Sequence, residues 1–135
     1  MTEIKINKEM AEAEFQRFAD MARLDLDRPR NANERRDIEE GKEQFVYFVM
    51  KGRITVDDEG YPTVKTESEE LPTIRFGKRP RVTALRAMDK CKKNNDNGKM
   101  LAMMADTLGI APAMFNSLEY TDFEVVSLVF SLFLG

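Results

Sequence analysis

A chain of 135 residues is one domain's worth of sequence, since domains commonly run about 100–150 residues. With 42% apolar and 33% charged residues and a formal net charge of −3, it has the material for a core. It is neither wholly disordered nor collagen-like nor fibrous, and no global charge recruits it to nucleic acid or acidic lipid. There is no histidine and a single cysteine, Cys91, which excludes Ser-His-Asp and Cys-His catalysis, His-containing zinc sites and an internal disulfide.

Residues 1–6 are too short and too polar to hold the apolar stretch of a secretory signal, which needs about 7–15 residues. The most apolar stretch, residues 123–134, falls well short of the roughly 20 residues that cross a bilayer. The chain is expected to be soluble, with no membrane partner.

The first third reads as a helical hairpin over residues 1–51. Asn7 is placed to cap a helix running to about Asp27, with Met10, Phe15, Phe18, Ala22 and Leu26 near one face. Arg28-Pro29-Arg30-Asn31 interrupts it, because proline removes a donor and restricts the residue before it. Asn33 is placed to cap the second helix, through Ile38, Phe45, Phe48 and Val49, and Gly52 ends it.

Over residues 52–77 the apolar period changes to two. Arg53-Ile54-Thr55-Val56 and Tyr61-Pro62-Thr63-Val64-Lys65 flank Asp57-Asp58-Glu59-Gly60, a hairpin signature. Pro62 requires an edge or a strand start. An acidic link, Glu67-Ser68-Glu69-Glu70, leads to a third extended piece at Thr73-Ile74-Arg75-Phe76. So small a sheet needs helices on one face.

Residues 78–135 return to helix. Thr83 is placed to cap a helix to about Lys92, and Asn94-Asn95-Asp96-Asn97-Gly98 reads as a loop. A helix from Met100 to Leu108 stops at Gly109, and Pro112 starts a short helix reaching Leu118. Thr121 and Glu124 have the spacing of a capping box for the last helix. The expected fold is mainly α with a small antiparallel β-hairpin or sheet (α+β), in a single domain over residues 1–135.

Several constellations have competing readings. Two loops superficially suit calcium, but alignment on Gly60 puts Thr55 first and Thr66 twelfth, and alignment on Gly98 puts Lys93 first and Met104 twelfth. Both lack the charged ligands such a loop needs, so ordinary turns are expected, with no metal and no cofactor. Basic residues crowd positions 75–93: Arg75, Lys78, Arg79, Arg81, Arg86, Lys90, Lys92 and Lys93 against Asp89. They suit phosphates, the acidic link, or an acidic partner. Ala105, Gly109 and Ile110 are spaced as in a helix-turn-helix. Residues 100–135 contain no lysine or arginine, however, so a reading helix there would be repelled by the nucleic-acid backbone. No nucleic-acid partner is therefore expected, and no paired carboxylates or phosphate loop suggest an enzyme.

Met103 and Met114, close to Met100 and Met104, either fill the core or form an adaptable binding surface. The last helix carries two apolar faces. Phe123, Val126, Phe130 and Phe133 form one; Val125, Leu128, Val129 and Leu132 form the other. Covering both demands either a central position or another molecule. Part of Val125, Leu128, Val129 and Leu132 is expected at a subunit or client interface.

The order of elements from Gly77 to Leu134 resembles the small tail assembly chaperones of long-tailed bacteriophages. The resemblance lies in Arg79-Pro80 leading to Ala84-Leu85-Arg86-Ala87, then Leu108-Gly109-Ile110-Ala111-Pro112, then Asp122-Phe123 entering an apolar helix. The hairpin from Gly52 to Val64 is similar to the element preceding these in longer members, whereas the charged N-terminal helices have no counterpart in it. The resemblance implies a non-enzymatic chaperone that binds the tape measure protein, keeps it soluble and assists assembly of the tail tube, with the tail tube protein as a further partner and homo-oligomers as the expected state. It implies work in the cytoplasm of the infected bacterial host and absence from the mature virion. In many relatives a ribosomal frameshift adds a C-terminal extension, and an end at Phe133-Leu134-Gly135 without a polar tail fits that arrangement. The alternatives are a DNA-binding regulator using the basic 75–93 stretch and a minor structural virion protein.

Overall fold

The computed structural model describes residues 6–89 and 96–135. Lys90, Cys91, Lys92, Lys93, Asn94 and Asn95, with the expected end of one helix and part of the loop after it, lie outside the described residues. The fold is the mainly helical α+β arrangement expected, with three short strands between two helical groups.

Helix α1 (Lys8–Ala22) starts at Asn7, whose side chain accepts the Met10 N–H at 2.8 Å. It stops short of Asp27. Arg23 turns left-handed at φ 58, and the Leu24 N–H reaches back to the Ala19 carbonyl at 2.9 Å. Leu24 is thereby folded under the helix end into the core, the apolar contact that accompanies this type of cap. Phe15 and Phe18 are buried as expected, whereas Met10 and Leu26 are exposed. Helix α2 (Ala32–Met50) is capped by Asn31 and not by Asn33, because Asn31 and Glu34 complete a reciprocal capping box. The two helices meet through Phe45, whose ring lies 4.8 Å from Phe18 and 5.3 Å from Phe15.

Gly52, at φ 77, releases the chain into β1 (Ile54–Val56), β2 (Pro62–Lys65) and β3 (Thr73–Arg75), an antiparallel sheet in the order β1-β2-β3. The register sets Ile54 opposite Val64 and Val64 opposite Ile74. All three are buried, so one face of the sheet is an apolar row against the helices. Pro62 opens the central strand, where its carbonyl accepts from Phe76 at 2.9 Å and its missing N–H leaves that pair with a single bond, so the ladder starts there. The hairpin tip docks on α1: Arg17 donates to the Val56 carbonyl at 2.9 Å and to the Asp57 carbonyl at 3.3 Å. Gly60, at φ 95, presses so closely that a Cβ there would lie 2.5 Å from the Arg17 carbonyl oxygen.

Helix α3 (Val82–Met88) begins at Arg81 without a side-chain cap. Thr83, the expected cap, lies inside it and donates instead to Asp106 at 3.0 Å. Helix α4 (Asp96–Leu108) takes in Asp96 and Gly98, read from sequence as loop. Its exit is a second left-handed cap, with Gly109 at φ 70 and the Ile110 N–H on the Ala105 carbonyl at 3.1 Å. A 3-10 helix, Pro112–Ser117, comes next.

Helix α5 (Tyr120–Leu134) starts after Glu119 with no side-chain cap, so the Thr121–Glu124 box does not form. Both side chains lie within the helix and are exposed. The helix takes the central position. On one side α2 approaches at Gly41, where a Cβ would sit 3.0 Å from Leu132 Cδ2 and 3.8 Å from Leu128 Cδ1. On the other, Phe133 packs on Phe18 at 5.1 Å and on Phe76 at 5.7 Å. Val125, Val129 and Leu132 are 1%, 0% and 3% exposed. This corrects the expected interface: the chain's own helices cover the second face, leaving Leu128 half-buried against Gly41.

Candidate partner-binding surfaces

With α5 inside, exposed apolar surface is found elsewhere. Helix α3 buries Ala84, while Val82 is 69% and Leu85 52% exposed. Helix α3 rests mainly on α4, and a groove of about 540 Å³ runs along α4 and its exit turn and meets α3 at Ala87, with Leu101, Ala102, Ala105, Asp106 and Ile110 in its lining. The small side chains Ala102 and Ala105 on α4 form part of its wall. Met103 and Met114 are half-buried near this unit, and Met104 fills the core completely. A second groove of about 610 Å³ lies on α1 and α2, with Val46, Tyr47 and Met50 among Lys8, Glu12 and Lys42.

The basic stretch divides. Arg75 pairs with Asp57 at 2.8 Å and lies 5.1 Å over the Tyr61 ring. Lys78, Arg79, Arg81 and Arg86 are exposed; Lys90, Lys92 and Lys93 lie outside the described residues. The helix-turn-helix spacing is real as a turn, since Gly109 and Ile110 make the cap that ends α4. The element after that turn is a six-residue 3-10 helix, not an α-helix of the kind that enters a major groove.

The Asp57–Gly60 turn uses its own carboxylate. Asp57 accepts the Glu59 and Tyr61 N–H groups, both at 2.9 Å, and the Arg75 guanidinium. Arg75 beside it, with those two amides, holds its carboxyl below the usual carboxylate range. Among the described residues no group of three or more His, Cys, Asp or Glu is placed to hold a metal ion, and no helix is long and apolar enough to cross a membrane.

Sequence reasoning missed the buried polar joint at the start of α5. Asp122 is 1% exposed; one carboxylate oxygen takes the Arg53 guanidinium and the other accepts the Glu67 N–H at 2.8 Å. The acidic link is thus anchored through its backbone. Ser68 adds a hydroxyl–hydroxyl bond of 2.8 Å to Ser117. An aspartate between Thr121 and Phe123 in an apolar helix was the available signal, but nothing local could name a partner 69 residues away.

Comparison with protein-family models, curated proteins and solved structures returns no match.

Proposed function

We propose that this protein is a non-enzymatic tail assembly chaperone of a long-tailed bacteriophage, binding an apolar helical segment of the tape measure protein and assisting assembly of the tail tube. The observation that carries the reading is the exposed apolar surface of α3 and α4. Leu85, in the Ala84-Leu85-Arg86-Ala87 element on which the resemblance rests, is 52% exposed, and the same two-helix unit carries the groove lined by Ala87 and the small side chains of α4. An amphipathic client helix docks on such a surface by inserting side chains spaced three and four apart. Self-association through the same face hides it until the client arrives, and release of the client leaves the chaperone in the host cytoplasm and out of the finished particle.

Co-expression with a phage tape measure protein, followed by affinity capture, tests the reading. Stable capture of a soluble tape measure protein, lost on Leu85→Asp, is the expected result. A tape measure protein that stays insoluble and uncaptured, or recovery of this chain from purified virions as a stoichiometric component, would falsify it.

A further inference from the structure

Where the chain leaves β3 it reads Gly77-Lys78-Arg79-Pro80-Arg81. Pro80 keeps the segment out of helix. Lys78, Arg79 and Arg81 are exposed. Unlike Arg17, Arg36, Arg53 and Arg75, they have no ion-pair partner among the described residues.

The three cations line two depressions. The larger, about 720 Å³, is bounded also by Arg23, Tyr61 and Phe133 and by no acidic residue. Arg23 is the one non-glycine residue at positive φ among the described residues, and the left-handed cap of α1 sets it on the rim of this cleft. The smaller, about 150 Å³, lies between the loop and α4 and is lined by Thr83, Asp106 and Thr107 as well. Thr107 is 7% exposed, and its hydroxyl has no hydrogen-bond partner among the described residues. A buried hydroxyl without a partner is costly, so this one, on a residue that lines the cavity, is a donor in need of an acceptor. Asp106 does not fill that need, because it already takes the Thr83 hydroxyl at 3.0 Å and is outnumbered by three cations.

We propose that residues 77–81 form an oxyanion-binding loop that takes a carboxylate-rich peptide segment of a partner protein. One carboxylate enters the small cavity toward Thr107, and neighbouring acidic and apolar side chains occupy the larger cleft. Arginine forks suit carboxylate and phosphate alike, but three features favour the peptide over a nucleic-acid strand. The cations do not continue onto the C-terminal part of the fold, since residues 100–135 contain no lysine or arginine, whereas a strand crossing it would need its phosphates neutralised along its length. The Tyr61 face is covered by Arg75 at 5.1 Å. Phe133 is packed against Phe18 and Phe76, so neither ring is a free platform for a base. The inference does not depend on the chaperone reading, whose surface is the α3–α4 groove.

Fluorescence polarisation of the full chain with a fluorescein-labelled peptide of alternating glutamate and leucine reads the site. The Arg79→Glu/Arg81→Glu variant, altered at exposed positions, is expected to keep its melting temperature and weaken binding at least about tenfold. Thr107→Val keeps the shape but removes the donor, and is expected to weaken binding about threefold. The same peptide with glutamine for glutamate should not bind. Unchanged affinity in either variant overturns the assignment. So does an oligothymidylate that displaces the peptide at equal or lower concentration, which would assign the loop to nucleic acid.

Discussion

At the scale of single residues, the joint between Arg53 and Asp122 holds strand β1, the acidic link and helix α5 together. Its two members are unequally buried: Asp122 is 1% exposed and Arg53 31%. Asp122→Asn lets Arg53 rehydrate and keeps an acceptor for the Glu67 N–H, so the expected cost is about 1–2 kcal/mol. Arg53→Met strands the carboxylate, and the expected cost is about 3–5 kcal/mol. Urea midpoints of the two variants should therefore rank Arg53→Met as the less stable, and the reverse order would show that Asp122 has another route to water. Asp57 carries the opposite kind of pair, open to solvent. Because Arg75 lowers its carboxyl below the ordinary value, the ionised form favours folding. That contribution is present above the ordinary carboxylate range and is lost as pH falls through the lowered value. The stability gap between the parent and Asp57→Asn should accordingly narrow from neutral to acidic pH; a gap independent of pH would mean that the turn amides, and not the charge, hold Asp57.

At the scale of elements, glycines with the same backbone sign should behave differently. Gly60 combines φ 95 with a backbone oxygen 2.5 Å from any added Cβ, whereas Gly109 at φ 70 has nothing within 4 Å. Gly109→Ala is expected to cost about 1–2 kcal/mol, the intrinsic left-handed penalty. Gly60→Ala should cost more, because the hairpin must lift from α1, and chemical melts that rank them equally would show the tip to be loosely docked. The same elements show what local sequence conveys. Alternation around Asp57-Asp58-Glu59-Gly60 specified the hairpin, and Thr73-Ile74-Arg75 the third strand, because period and turn chemistry are local. Caps were less legible. Asn31, Asn33, Thr83 and Thr121 all have capping side chains: Glu34, three residues on, selects Asn31 by a box local in the sequence, while Asp106, 23 residues away, draws Thr83 off. The burial of α5 was illegible in principle, since two apolar faces on one helix specify that both are covered but not by what. The exposed face of α3 went unrecognised for the converse reason. Val82 and Leu85 look like core residues until α3 is seen resting mainly on α4.

At the scale of the whole molecule, the charged N-terminal helices acquire a role that the resemblance lacked. With α2 on one side of α5 and α1 on the other, they supply the cover that a partner would otherwise provide. The α3–α4 unit contributes Met104 and Ala105 to the core yet presents Val82 and Leu85 outward, as α1 and α2 present Met10 and Tyr47. Two aspartate substitutions separate these roles. Val129 is 0% exposed, and a carboxylate there has neither water nor a cation, so Val129→Asp should destabilise by more than about 3 kcal/mol and unfold the monomer. Leu85→Asp places the same charge in solvent, and its stability should stay within about 0.5 kcal/mol of the parent. If the α3–α4 face is the client surface, Leu85→Asp should nonetheless lose client capture, since each apolar anchor contributes on the order of 1.5–3 kcal/mol. Thermal melting and affinity capture on the two variants read fold and function separately. A folded Leu85→Asp protein that still retains its client would move the client surface off α3, and the groove on α1 and α2 around Tyr47 and Met50 would be the next to vary.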